Sequence, residues 1–385
     1  MNQNNYKKVC VITNYKNTGN YGAVLQAYAL NKKINDMGFT CETLNFSAAE
    51  QNGSKILRYV KRIINGEINL LIDDLKRDFF KLLIRPRITS RLDSLKTFKD
   101  NIPHTKYYTI DKIYEINKLY DCFICGSDQI WRPTFEGNLI GIYWLDVINQ
   151  EHLKASYAAS IGLTTLPESI LDKAKGYLQS FDYISVREPA AKEILSKVID
   201  KDIEITIDPV FLLEKKEWDS MAKKPKIDEP YIFVYMIHGT RKLLNSIIKF
   251  AKMENLKIVT FPYMAYYFRM TEFSFGDIKI FDADPADFLG YIKDAEFVFT
   301  DSFHATAFSI IFHKCFFSSS ANEIAFSRIK YLLSLTGLNN RHIPSEGLPP
   351  DNYRNISQVD WRNVDSKLDY AVSNSLNYLK LVLGI

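Results

Sequence analysis

The chain has little cysteine and no long apolar run, and each shortage narrows what it can be. Five Cys in 385 residues is an odd number, scattered through β-type runs as Cys10, Cys41, Cys122, Cys125 and Cys315. That pattern is no disulfide framework, and a reducing compartment is expected. Cys122 and Cys125 form a C-x-x-C with no second pair to complete a zinc site. They read as core cysteines, with redox or metal chemistry as the other reading, and no metal is expected. No stretch reaches the ~20 apolar residues that span a bilayer. The start, MNQNNYKKVCVIT, lacks the apolar segment and small-residue cleavage site of a secretory signal. These absences lead to the expectation of a cytoplasmic protein whose membrane contact, where it has any, is peripheral and at the inner face. A G-x-G-x-x-G fingerprint is missing too, and no acidic residue closes the second strand, Thr40 to Phe46, so a dinucleotide cofactor is not expected.

What is present points to a large soluble α/β protein. Hydrophobic residues make up 46% of the chain and charged residues 24%, with 23 Tyr and 25 Phe to fill cores. A single core stops growing near ~250 residues, so this length implies two domains and a cleft between them. The net charge of +4 is uneven. Residues 54–100 hold twelve Lys or Arg against six Asp or Glu, a local +6, which leaves −2 for everything else. That segment interleaves Ile, Leu and Phe with cations at helical spacing. Two readings stand for it: a helical insertion packed on its own domain, or a face that docks on an anionic membrane or a lipid-diphosphate carrier. Nucleic acid is not expected, because no recognised motif supports it.

Along the chain, KVCVIT reads as a strand, NYKNTGNYG as a turn and AVLQAYALNKKINDMG as a helix, with FTCETLNF as the next strand. CFICGS, KASYAAS, YISVRE and EITIDP continue the rhythm as short buried strands separated by helical patterns. The charged, Pro-containing stretch 214–230 reads as a linker. A second βα series follows in YIFVYMI, LKIVTFP, IKIFDA, AEFVFTD and KCFFSS. The expected domains are therefore 1–213, with the basic insertion near 54–100, and 231–345. Residues 346–385 form a tail whose helical part packs back on the first domain. The class is α/β, two Rossmann-like domains facing a cleft.

Ligands in such sheets sit beyond the carboxyl ends of the strands, so the residues that follow each strand are the candidates. After the first strand, Asn20 and Gly22 lie at a helix start, where backbone N–H groups approach an anion; a purely structural turn is the alternative. After CFIC come Ser127, Asp128, Gln129 and Trp131, a polar trio and an indole suited to a sugar's hydroxyls and apolar face. Arg187 emerges from a buried strand, either to clamp a carboxylate or phosphate or to form an internal ion pair with Glu188 or another neighbour. In TDSFHATAFS a strand ends in Asp301, then Ser302 and His304 open a helix, placing His304 for acid–base work or phosphate contact. His238 follows the first strand of the second domain as a weaker candidate.

Together NTGNYGAVLQAYAL, FICGSDQIW, VREPAAKEIL, ITIDPVFLL and FVFTDSFHATAFSIIF, in this order, resemble the polysaccharide pyruvyl transferase family over nearly the whole chain. The resemblance implies a fold similar to the GT-B glycosyltransferases. It implies transfer of pyruvate from phosphoenolpyruvate onto two hydroxyls of a sugar, forming a cyclic ketal in a bacterial surface polysaccharide precursor. The expected partners are then phosphoenolpyruvate as donor substrate and a sugar acceptor, carried on a lipid diphosphate where the membrane reading of 54–100 applies, with no metal or redox cofactor. His304 is implied as the acid or phosphate stabiliser, and Asp128 as a group that orients or deprotonates an acceptor hydroxyl. Many family members carry Arg two positions before this histidine, where this chain has Ser302; Arg328 or Lys330 is the expected replacement cation. Two rivals share the architecture: a GT-B glycosyltransferase using a nucleotide sugar, and a catalytically silent sugar-binding protein. The absence of Asp and Glu from 302–314 argues against the first.

Overall fold

A computed structural model of the chain describes residues 8–16, 18–46, 60, 63–64, 68, 79, 82, 85–134, 137–263, 274–320, 323–345, 347 and 359–385. The first half runs β1 (Lys8–Ile12), α1 (Tyr21–Asp36), β2 (Thr40–Phe46), α2 (Arg85–Asp100), β3 (His104–Tyr108), β4 (Cys122–Cys125) and β5 (Leu153–Ser156). It ends in α3 (Glu168–Leu178), β6 (Ile184–Val186), α4 (Pro189–Leu195) and β7 (Ile203–Ile205). After α5 (Lys215–Met221), the second half runs β8 (Tyr231–Tyr235), α6 (Arg241–Glu254), β9 (Lys257–Thr260), β10 (Ile278–Lys279) and α7 (Pro285–Lys293). It continues with β11 (Phe297–Thr300), α8 (Phe303–Ile311), β12 (Cys315–Ser318) and α9 (Glu323–Thr336), and the chain closes with α10 (Trp361–Leu383).

Both large sheets are parallel and share one topology: β3-β2-β1-β4-β5 in the first half and β10-β9-β8-β11-β12 in the second. The strand order reverses between β1 and β4 and again between β8 and β11, and at each reversal the neighbouring loops part to leave a crevice. The hydrophobic runs that built these strands are buried on both faces, as a helix-covered parallel sheet requires. Cys122 and Cys125 fall on opposite faces of the first sheet, in separate core clusters, and burial pushes both thiols up. They are core cysteines, and C-x-x-C chemistry is set aside.

The two halves share one continuous core cluster. Tyr21, the first residue of α1, stacks on Phe288 of α7 at 5.0 Å and 17° and donates its hydroxyl to the Ala283 carbonyl at 2.9 Å. One expectation changes here. The stretch 214–230 is no open linker: it carries α5, whose fully buried Trp218 meets Phe308 edge-on at 5.0 Å and donates to the Val210 carbonyl. Most of the basic segment 54–100, and with it the membrane reading, lies outside the described residues. Its described end, α2, turns three cations toward the protein. Arg91 donates to the Pro262 carbonyl at 2.7 Å and covers the Tyr21 ring, Arg87 covers Phe281, and Lys99 donates to the carbonyls of Lys16 and Thr18. At the other end of the chain, α10 returns to the first half, where Tyr378 donates to the Ser156 carbonyl and the Ser375 hydroxyl accepts from the Ile207 N–H. Among the described residues no helix is long and apolar enough to cross a membrane.

Candidate active site

The two topological reversals meet through α1 and α8. Asn20 caps α1, its Oδ1 accepting from the Gly22 N–H at 2.9 Å, so part of that helix start is satisfied internally rather than held open for an anion. Ser302 caps α8 in the same way, accepting from the Ala305 N–H. Gly22 has a steric role: a Cβ placed there would lie 2.1 Å from Nδ1 of His304, so only glycine lets the start of α1 lie against the imidazole. Asp301 closes the crevice between β8 and β11, accepting from the backbone N–H groups of Ile237 and His238 at 2.5 and 2.6 Å.

At the centre is Asp208, which no sequence motif had singled out as functional. It follows β7, is fully buried and accepts from the Val210 N–H through Oδ1. Its Oδ2 accepts from Arg187 Nη1 at 2.6 Å and from the Ser127 hydroxyl at 3.2 Å, and His304 Nε2 lies 3.5 Å away. Burial alone raises such a carboxyl, but the neighbouring charges of His304 and Arg187 outweigh it and hold Asp208 well below the usual carboxylate range. The signal was available, since Asp208 in EITIDP follows a strand as the other candidates do.

Arg187, 2% exposed, is therefore an internal ion pair before it is an anion clamp. Its remaining carboxylate neighbours are farther off, Asp128 at 3.6 Å and Glu188 at 3.9 Å, and its Nε and Nη2 have no hydrogen-bond partner. The Phe303 ring, from the second half, covers its face at 4.4 Å. Arg328, on α9, interacts electrostatically with the same cluster. Burial first, then the like charge of Arg187, lower its pKa to about 10 against the opposing pull of Glu188 and Asp128, and its Nε has no partner.

The other expectations divide. Ser127 is fully buried and directs its hydroxyl to Asp208, so it positions the carboxylate. Trp131 is corrected: fully buried, it stacks on Trp144 at 4.6 Å and donates to the Tyr143 carbonyl, and offers no face to a sugar. Its large apolar surface was better matched to the core than to the cleft. Gln129, bonded to Arg132 at 2.8 Å, instead lines a cavity of about 250 Å3 at the β1–β4 reversal, with Asn14, Lys16, Phe46 and Tyr143. Asp128 adjoins that cavity in sequence and the Arg187 cluster in space.

The fold has solved counterparts. A UDP-N-acetylglucosamine 2-epimerase from Rickettsia bellii matches at a TM-score of 0.52 and 10% identity, covering 98% of this chain and 95% of its own. A UDP co-structure of MnaA from S. aureus matches at 0.50 and 11%, covering 97% and 96%. At such identity the likeness is one of fold alone, and the fold is of the GT-B type. No curated protein matches the sequence. The family model for polysaccharide pyruvyl transferases matches residues 20–321, a span that begins at the Asn20 cap, takes in Asp128, Arg187 and Asp208 and passes through His304; the chain belongs to that family.

Proposed function

We propose that this chain moves a pyruvyl group from phosphoenolpyruvate to two hydroxyls of one sugar, closing a cyclic ketal and releasing phosphate. The observation that carries this reading is that Arg187 and Arg328, one from each half, interact through their charges and each keep a guanidinium N–H without a partner, while Arg187 shares the Asp208 carboxylate with His304. Guanidinium forks suit a carboxylate and a phosphate held together. Asp128, Glu188 and Asp208 offset the charges of Arg187 and Arg328, so donor recognition rests on directed N–H groups rather than on a net positive field.

The chemistry follows in balanced steps. His304 gives a proton to the methylene carbon of the enol, leaving cationic character at C2. A sugar hydroxyl, oriented by Asp128, attacks C2 and passes its proton to the phosphate group. The C2–O bond to phosphate then breaks, releasing inorganic phosphate with that proton, and the second hydroxyl attacks the same carbon and returns its proton to His304. The cavity beside Gln129, with polar groups and the rings of Phe46 and Tyr143, is where the acceptor sugar sits in this reading.

Incubation with phosphoenolpyruvate and a panel of galactose-, mannose- and glucosamine-containing acceptors, soluble and lipid-linked, tests it. Phosphate release coupled to an acceptor mass gain of one pyruvyl unit is expected. Consumption of a nucleotide sugar alone, or binding of acceptors with no turnover of any donor, overturns it.

A further inference from the structure

The way His304 is held goes beyond naming it as the acid. Its ring is fixed on two sides: Gly22 of α1 lies against the Nδ1 edge, and Asp208 faces Nε2 at 3.5 Å. Nε2 is buried and has no hydrogen-bond partner, and 3.5 Å is longer than a formed N–H···O bond. Asp208 is itself immobilised, by Val210 N–H on one oxygen and by Arg187 and Ser127 on the other. Such a carboxylate has one direction left in which to act, toward the imidazole.

We infer that Asp208 is the positioning residue for His304: it keeps the proton on Nε2 and steadies the imidazolium that forms in the reaction. An anion beside one ring nitrogen selects the tautomer protonated there and stabilises the doubly protonated ring. Arg187 and Ser127 hold the carboxylate, which explains why two residues read from sequence as substrate contacts point inward. Asp208 after β7 is the charged group facing the ring; it is shared with Arg187 after β6, which in turn has Glu188, Asp128 after β4 and Arg328 on α9 as its own charged neighbours.

The role of His304 as the acid rests on the pyruvyl transfer proposed above, but the positioning itself can be read without substrate. In the full chain labelled with 15N-histidine, six imidazoles are present, and His304→Gln identifies the signal of His304. The neutral His304 ring of the native protein is expected to carry its proton on Nε2, and in Asp208→Asn the tautomer protonated on Nδ1 is expected to appear. Turnover of Asp208→Asn should drop ~10²-fold or more, with little change in KM for the donor, and the same substitution should add nothing in the His304→Gln background. A native ring protonated on Nδ1 overturns the assignment whether or not any variant folds. So does an unchanged tautomer in a folded Asp208→Asn protein. If pyruvyl transfer itself fails, the tautomer results are untouched.

Discussion

Arg328 enters the cleft from the second half and Arg187 from the first, and each keeps a guanidinium N–H without a partner. Of the two, Arg187 has a close carboxylate among the described residues in Asp208, so in this reading Arg328 is the cation more available to a bound anion. Arg328→Ala should lower kcat/KM for phosphoenolpyruvate ~10²-fold while leaving acceptor binding nearly unchanged, a split that steady-state kinetics with each substrate varied will show. Lys99 gives a second test at this scale. Buried against the Lys16 and Thr18 carbonyls, it has its pKa brought down to about 8 by burial first and the Lys16 charge second, against ~10.4 in an unfolded chain. Between those values the unfolded state holds the extra proton, so stability from this group rises with pH through that window and is absent below it. Melting temperatures from pH 7.5 to 10 should therefore climb more steeply in the native protein than in Lys99→Met. Equal slopes would remove Lys99 from that account. Single residues were unevenly legible. Arg187, His304 and Asp128 stood at strand ends, where position alone marks them, whereas Trp131 stood at one too and went into the core. Composition told that an indole was available; only packing decided which way it faced.

At the scale of elements, α1 and α8 begin at the two crevices and are set against each other by one missing side chain. Gly22→Ala should push His304 off Asp208, lowering turnover at least tenfold, and should cost about 1–3 kcal/mol of stability as an overpacked contact. Turnover assays beside denaturant melts check both; native activity in the variant would show that the helices can separate freely there. The elements were the most readable part of the chain, because buried parallel strands are short apolar runs and the helices between them carry clear caps and periods. What sequence could not show was α5. Its charged exterior, EKKEWDSMAKK, outweighs the one indole that anchors it, so the stretch resembles a linker until Trp218 is seen between Tyr28 and Phe308.

The molecule as a whole is two similar sheets around a common core, so the halves should not melt separately. Calorimetry is expected to give one transition, and Tyr21→Ala, which removes the stack on Phe288 and the bond to the Ala283 carbonyl, should lower stability by ~3–5 kcal/mol without splitting it. Two resolved transitions in the native protein would mean the shared core is weaker than its packing implies. The two-domain plan followed from length and the repeated βα rhythm. The intimacy of the halves did not, since it depends on pairs such as Tyr21 and Ala283, 262 positions apart, that no local pattern connects.

The return of α10 to the first sheet has a bearing on biosynthesis. Ser375 and Tyr378 satisfy backbone groups at Ile207 and Ser156, yet they leave the ribosome only after the entire second half has been made. A nascent chain thus carries an unfinished leading lobe, with polar main chain awaiting its partners, for most of translation. Stalled or nonsense-truncated products lacking this helix should accumulate as chaperone clients and protease substrates rather than as half-enzymes.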